Sequence, residues 1–448
     1  MSDLVTWVEV GGLAAGAGGL GYAKVRAPRV YWSLVGLPVT WGRFTWTYRS
    51  TMEVCGLTVQ PSRLRAFMAR NVARGEVRPV PPKVRRVRPT SVGLLVTLRL
   101  PAGLEPADVA ASSERLRHAW GVRSVTVVET KPGFVELRMT GYDVLGRVRL
   151  PRSARVRDLV VPVALREDGS VFERDYRQVP MALTLGANLS GKSMYQRNLI
   201  KGLASLPVGL VGVDCKRGVE QSRYAPRLSA LATTPADASL LLDALVGEME
   251  RRFDLLAQHG ASDLWELPAK VRPVPLVVLV DEVAELFLVT SKKDEERRDR
   301  SVMQMVRLGQ MARAVGIFLE ICGQRFGSEL GRGATALRAQ LTGRVVHRVN
   351  DKQTAEMGLG DIAPDAVAAA TVIAPNRPGL AVAGDTSGGW SRIRTPETSS
   401  DEVVAICRDF AHLTPDLPFL APFRPAVPPV AAPEPGASPV VRPRPVTE

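Results

Sequence analysis

The sequence predicts an α/β fold built on a parallel sheet, and two observations carry this prediction. The apolar strand Met181–Leu185 runs into a glycine-rich segment, 186–193, and a helical pattern follows from 194 to 206. A second apolar strand, Leu276–Val280, ends in two adjacent acids. Strands that alternate with helices favour a parallel sheet, in which polar residues gather at the carboxyl ends of the strands. We therefore expect the glycine-rich segment and the acids to share one edge of the sheet.

The glycine-rich segment fits the phosphate-binding pattern G-x-x-x-x-G-K-S and stands between a strand and a helix, as that pattern requires. Its backbone N–H groups can close around phosphates, the Lys192 ammonium can reach the outer phosphates, and the Ser193 hydroxyl can ligate magnesium. The sequence thus predicts ATP and Mg²⁺ as ligands. The candidate nucleotide-binding residues are Gly186, Ala187, Asn188, Leu189, Ser190, Gly191, Lys192 and Ser193.

The two acids that follow the second strand are candidates for the chemistry of hydrolysis. Asp281 is placed to hold magnesium with Ser193, and Glu282 is placed to orient and deprotonate the water that attacks the γ-phosphate. The alternative is a core strand that ends in a solvated acidic turn. With a phosphate loop upstream, an NTPase is the favoured interpretation.

Two further apolar strands, 208–213 and 316–322, complete a RecA-like P-loop NTPase core. Gln324 follows the second of them, where an amide can sense the γ-phosphate and pass its state to the next loop. Its alternative role is an ordinary strand-end cap. The predicted catalytic set is therefore Lys192, Glu282 and Gln324.

The order of these motifs resembles the motor domain of FtsK/SpoIIIE-type DNA translocases over residues 160–393. The resemblance rests on the phosphate loop, the sequences VGVDCK, EMERR and VDE, and the final GQR. It implies a hexameric ring that pumps double-stranded DNA through its centre. The chain departs from the family pattern at Phe318, where a histidine is usual, and at CGQRF, where the family usually has alanine-threonine-glutamine-arginine-proline.

A glycine-hinged loop after Gln324 carries arginines of undecided role. One of them can contact DNA in the pore or complete the nucleotide site of a neighbouring subunit. The sequence does not assign these roles among Arg325, Arg332, Arg338 and Arg344.

The 448-residue chain carries a net charge of +14, which favours a polyanionic partner such as DNA. The stretch 63–88 is strongly basic and is interpreted either as a contact with DNA or anionic lipid, or as a solvated linker interrupted by proline.

The N-terminal apolar run, 4–23, is long enough to span a bilayer but contains many glycines and Glu9. A degenerate membrane anchor and a segment lying at the membrane interface both remain open, and the tryptophan-rich run 30–42 is interpreted as interfacial. The expected localisation is a cytoplasmic motor, anchored at the cell membrane if this segment inserts.

The predicted organisation has five parts. A small α/β domain with a strand, a helix and two more strands precedes the motor. Within the motor domain, the stretch 291–300 is interpreted as a solvated loop. The parts are an apolar N-terminal segment 1–50, a basic linker 51–90, the pre-motor domain 91–155, the motor domain 156–412, and a proline-rich disordered tail 413–448.

The favoured function is an ATP-driven translocase of double-stranded DNA. No winged-helix domain that reads DNA polarity is expected after the motor, so the chain looks most similar to transfer proteins of actinomycete conjugative plasmids or integrative elements. The alternatives are a HerA-like or coupling-protein-like ATPase that acts on single strands or protein cargo, a chromosome segregation translocase, and a membrane-anchored scaffold with a regulatory nucleotide site.

Overall fold

The computed structural model describes residues 27–60, 79–385 and 388–426. These residues form a four-stranded and a ten-stranded sheet. The smaller sheet belongs to the predicted pre-motor domain, and the larger one is the core of the predicted motor.

The pre-motor sheet is antiparallel, in the order β1-β2-β4-β3. Helices Pro106–Ala111 and Ser113–Trp120 follow β2, and they bury Val109, Leu116 and Trp120 in the domain core. The strand, helix and two strands predicted here are present, although the single predicted helix is divided in two. The strands are β1 (Lys83–Pro89), β2 (Gly93–Arg99), β3 (Ser124–Lys131) and β4 (Phe134–Thr140).

The pre-motor domain begins earlier than the predicted boundary at 91. The chain is helical over Pro28–Tyr31, has π-helical geometry over Trp32–Gly36, and continues as the helix Leu37–Val54. Phe44 of this helix packs against Trp120 with ring centroids 5.1 Å apart. Strand β1 lies inside the segment predicted as a linker. It pairs antiparallel with β2 and has two half-buried valines between its exposed arginines.

Two predictions fall on residues outside the described ones. They are the membrane segment 4–23 and most of the basic stretch 63–88, of which 63–78 is not described. Within the part of the chain that the structure describes, no helix combines the length and the apolar character needed to cross a bilayer.

The motor sheet has the order β6-β5-β14-β13-β12-β7-β11-β10-β8-β9. The six strands from β12 to β9 are parallel to one another, as predicted for a RecA-like core, and the acidic strand β10 lies between β8 and β11. The other four extend the sheet in antiparallel pairs. The strands are β5 (Val160–Arg166), β6 (Val171–Asp175), β7 (Met181–Leu185), β8 (Gly209–Val213), β9 (Leu228–Ala232), β10 (Leu276–Val280), β11 (Ile317–Gly323), β12 (Gly343–His347), β13 (Leu380–Asp385) and β14 (Trp390–Arg394).

Helices cover this sheet, and one of them corrects the loop predicted at 291–300. The Ser291 hydroxyl accepts a hydrogen bond from the backbone N–H of Asp294 and so caps a helix that starts at Lys292. Its charged first turns are solvated, and its later turns bury Val302, Met305 and Leu308. The motor helices are Lys192–Leu203, Pro235–Gln258, Val283–Leu286, Lys292–Met311, Ala334–Gln340, Lys352–Leu359, Pro364–Thr371 and Ser400–Asp409.

The predicted tail 413–448 is also partly ordered. A 3₁₀ segment, Pro418–Phe423, buries Leu420 completely in the motor core, with Leu417 packed beside it. The many prolines in this stretch favoured the prediction of disorder over a packed apolar segment. Residues 427–448 lie outside the described part of the chain.

Candidate nucleotide site

The phosphate loop connects β7 to the helix Lys192–Leu203, and its backbone requires glycine at two places. Gly191 has φ +108° and packs directly against the backbone of Gly379, which leaves no space for a side chain. A Cβ at Gly186 would lie 2.8 Å from the Cβ of His347. The glycines therefore allow the loop to sit tightly between β7 and the ends of β12 and β13.

Lys192 lies folded across this loop. Its Nζ donates a hydrogen bond of 2.6 Å to the carbonyl oxygen of Gly186 and lies 3.7 Å from Oε2 of Glu282. Burial lowers the pKa of Lys192, and the nearby Glu282 carboxylate opposes that shift.

The two acids after β10 lie beside the phosphate loop, at the same edge of the parallel sheet, as expected from the sequence. Glu282 is 4% exposed, and its Oε1 accepts a hydrogen bond of 3.2 Å from the backbone N–H of Gln324. Its Oε2 has no hydrogen-bond partner among the described residues, and a buried carboxylate oxygen of this kind is free to accept from a water. Burial raises the pKa of Asp281, and the ammonium of Lys216 opposes the shift.

Lys216 is a site residue that the predicted set omitted. It follows β8, next to β10, and its Nζ lies 3.3 Å from Oδ2 of Asp281 and 4.0 Å from Oε2 of Glu282. The pattern that pointed to the acids could have found it, because it too stands just after a buried strand of the same sheet.

The donors present fit a magnesium ion that is held mainly by a nucleotide. The exposed hydroxyl of Ser193 and the carboxylate of Asp281 line the same cavity as the phosphate loop. Magnesium typically takes one or two protein oxygens together with phosphates and waters. In the described ranges there is no group of three or more acidic, histidine or cysteine residues able to hold a metal without such help.

The residues after β11 lie at a second cavity of about 440 Å³, which Glu282 also lines. Gln324 and Arg325 are exposed there, and Arg325 donates a hydrogen bond of 2.9 Å to the Gln353 side chain. Glu285 and Asp351 add acidic groups to the lining. Gln324 contacts Glu282 through its backbone N–H, and its side chain is free to contact a ligand.

The four candidate arginines differ in how deeply their side chains are buried. Arg332 is exposed between Gly331 and Gly333, which both have positive φ, and Arg338 is half-buried and donates to the Phe326 carbonyl at 3.2 Å. Arg344 is 3% exposed on β12, where it donates to three carbonyl oxygens of its own chain. Arg344 is thus a buried structural residue. The prediction that it contacts DNA or a neighbouring subunit is wrong, because its position inside the strand β12 buries its side chain.

The parallel core, the phosphate loop and the converging acids together define a P-loop ATPase of the RecA-like class. The family described as "Actinomycete conjugal transfer protein N-terminal domain" matches residues 17–141, and the family "FtsK/SpoIIIE" matches residues 145–328. The first match contains the four-stranded sheet, and the second contains the strands β5 to β11 of the ten-stranded sheet.

Two relatives match most of the chain. The chain is 55% identical to the transfer protein TraSA of Streptomyces ambofaciens over 394 residues, which are 86% of this chain and 95% of TraSA. It is 77% identical over 272 residues to a "Sporulation regulatory protein" of Streptomyces azureus, covering 61% of this chain and 89% of that protein. The chain therefore belongs to the TraSA family of conjugal transfer proteins, whose motor is of the FtsK/SpoIIIE type.

A solved structure supports the fold. The ATPγS-bound monomer of the pCW3 conjugation coupling protein TcpA superposes with a TM-score of 0.55 at 18% identity, covering 83% of this chain and 99% of that one. At this identity the likeness concerns the fold alone.

Proposed function

We propose that this protein is an ATP-driven translocase of double-stranded DNA that serves conjugal transfer of a plasmid or integrative element. The observation that carries the proposal is the convergence of Lys192, Asp281 and Glu282 at one end of the parallel sheet, in a chain of the TraSA family. A binding module or a scaffold would need the phosphate cradle, but not a buried carboxylate beside it whose Oε2 receives no hydrogen bond from the described residues.

Each residue of the site has a distinct role in this proposal. The loop N–H groups bind the phosphates, and Lys192 moves from the Gly186 carbonyl to the outer phosphates. Ser193 and Asp281 would hold magnesium. Glu282 orients the attacking water and accepts its proton. Magnesium, when bound, would supply positive charge against the negative charge that develops on the phosphates.

Lys216 and Gln324 connect this chemistry to the rest of the motor. The Lys216 ammonium neutralises the two acids, and its ion pair with Asp281 would have to loosen for that carboxylate to hold a metal ion. Gln324 is bonded to Glu282 through its backbone, so a change at the γ-phosphate can pass directly to the loop that begins at Arg325.

The proposed working unit is a homohexameric ring around duplex DNA. The net charge of +14 suits a phosphate backbone, and Arg325, Arg332 and Arg338 remain candidates for DNA contacts or for the site of a neighbouring subunit. Segment 4–23, with Lys24, Arg26 and Arg29 after it, is proposed to contact the membrane. Chromosome segregation remains an alternative task for the same motor.

The test is ATPase activity measured with duplex and single-stranded DNA side by side, with Lys192→Ala as the inactive control. We expect duplex DNA to stimulate turnover more than single strands of equal length. The binding of duplex should be insensitive to sequence and should weaken steeply with salt, since its contacts are mainly to phosphates. Stronger stimulation by single strands would favour the HerA-like or coupling-protein-like alternative, and no DNA stimulation would contradict the proposal.

A further inference from the structure

The nucleotide cavity extends well beyond the phosphate loop. Its volume is about 1300 Å³, and its lining follows the loop helix from Lys192 to Gly202. These ten positions (202 − 192) correspond to roughly 15 Å at 1.5 Å per residue along a helix. The far end is marked by an ion pair in which Lys201 Nζ lies 2.5 Å from Glu402 Oε1.

The lining changes character along this length. Lys192, Lys216 and the loop backbone form its phosphate end. Ile406 and Phe410 reach the cavity from the helix Ser400–Asp409 and the residue after it, beyond Glu402. Both side chains are half-buried, so they present apolar surface to the cavity.

The connection between the two sheets supplies a further part of the lining. Val148, Leu150 and Val156 line the same cavity and are likewise half-buried. Apolar residues left half-exposed beside a phosphate cradle match a ligand with a polyanionic end and a flat apolar end.

We propose that the nucleobase of ATP binds against Phe410 and Leu150, so that the connection between the pre-motor and motor domains forms a wall of the nucleotide site. This inference rests on the proposed ATPase function and assigns residues to its substrate. An aromatic side chain recognises the face of a base by stacking, and a Leu side chain supplies apolar contact.

The connection is fastened to the phosphate loop by hydrogen bonds. Arg394 donates to the carbonyl oxygens of Leu145 at 2.8 Å and Gly146 at 2.9 Å, and to Pro378 at 3.1 Å. The backbone N–H of Gly379, the next residue, donates to the Ser190 carbonyl of the loop at 2.9 Å. A base bound against Leu150 would therefore order a segment that is already linked to both the loop and the pre-motor domain.

The first test compares a ligand that has a base with one that lacks it. Calorimetric affinities of the full chain for ATPγS and for inorganic tripolyphosphate, both with magnesium, are measured in Phe410→Ala and Leu150→Ala. We expect Phe410→Ala to weaken the binding of ATPγS by about fivefold or more, the range for loss of a stacking contact, and Leu150→Ala to weaken it by a smaller factor. Both substitutions should leave the affinity for tripolyphosphate within about twofold. Phe410→Tyr should retain the affinity for ATPγS.

The matched control is Phe134→Ala, a half-buried phenylalanine of β4 outside the cavity, which should change neither affinity. Equal losses for both ligands would overturn the proposal, because the residues would then shape the loop rather than hold the base. Unchanged ATPγS affinity in both cavity variants would overturn it too. Failure of the unmodified chain to bind either ligand would instead contradict the ATPase function itself.

The second test measures hydrogen exchange of the backbone amides in the connection between the two domains. ATPγS should slow the exchange of backbone amides in 146–156 more than tripolyphosphate does, and Phe410→Ala should reduce that difference. Equal protection by the two ligands would overturn the assignment of this connection as a wall of the base site.

Discussion

At the level of the residue, Lys192 and Glu282 lie 3.7 Å apart but act on different steps. Lys192→Ala removes the positive charge that would contact the outer phosphates. We therefore expect ATP turnover to fall by at least about 10²-fold, with weaker nucleotide affinity and an intact fold. Glu282→Gln keeps the shape of the site and removes only the proton acceptor. It should bind ATP and magnesium nearly as well as the unmodified chain but hydrolyse about 10²- to 10⁴-fold more slowly.

Nucleotide titration and single-turnover hydrolysis, performed on both variants, distinguish these effects. Circular dichroism serves as the control for folding. If both variants lost nucleotide affinity to the same extent, the division of roles between the lysine and the carboxylate would be wrong.

His347 makes the stability of the folded protein depend on pH. Burial, with the nearby Lys192 ammonium, lowers the pKa of His347 to about 3, whereas an exposed histidine in the unfolded chain titrates near 6.5. The unfolded state therefore binds the proton more readily, so stability is complete above about pH 6.5 and is lost as the pH falls toward 3. Between pH 8 and pH 5 this one group should cost about 2 kcal/mol.

Substitution by an apolar residue separates this histidine from the carboxylates that also titrate. We expect the free energy of unfolding of His347→Leu, measured in urea, to fall less between pH 8 and pH 5 than that of the unmodified chain. Parallel pH profiles for the two proteins would show that His347 becomes protonated in the folded state without cost.

At the level of the element, the helix Pro235–Gln258 carries the EMERR sequence that marks the family, and its contacts explain the sequence. Arg252 is 1% exposed and donates at 2.7 Å to Glu248, and at 2.9 Å to each of the Val274 and Val315 carbonyl oxygens. Those valines precede β10 and β11, so one guanidinium ties the helix to the starts of the acidic strand and of the strand before Gln324.

This arrangement predicts unequal costs for two neighbouring arginines. Arg252→Ala leaves two carbonyl oxygens without their donor and removes the buried one of the two guanidinium partners of Glu248, so the free energy of unfolding should fall by about 3–5 kcal/mol. Arg251 also bonds to Glu248 but has a 59% exposed side chain, and Arg251→Ala should cost less than about 1 kcal/mol. Urea denaturation of both variants is the measurement, and similar losses would contradict the structural role of Arg252.

The elements also show which parts of the fold the sequence could predict. The strands β7, β8, β10 and β11 were predictable because each is a short apolar run that ends in polar residues, and the site followed from their parallel arrangement. Strand β1 was missed because its arginines face solvent and conceal two valines. The burial of Arg344 was missed because local sequence does not reveal which carbonyl oxygens a neighbouring helix directs toward a strand.

At the level of the whole molecule, one chain supplies the phosphate cradle, a metal ligand and a base, but its site lacks an assigned cation on the far side of the γ-phosphate. Arg332 is exposed on a glycine-hinged turn, while Arg325 and Arg338 already bond within their own chain. In a closed ring each subunit presents one face to the next, so an exposed arginine on this loop can complete a neighbour's site.

Mixed rings test this shared site. Lys192→Ala subunits keep every arginine, and Arg332→Ala subunits keep the phosphate loop, so each protein alone should be nearly inactive. In an equal mixture about a quarter of the interfaces would pair an intact loop with an intact arginine, and DNA-stimulated ATPase should partly return. Arg325→Ala and Arg338→Ala are tested in the same way. The control is Arg313→Ala, at an exposed arginine outside the loop, which should be active without mixing. The absence of rescue in every mixture, with a monomer on DNA by light scattering, would exclude a site shared between subunits.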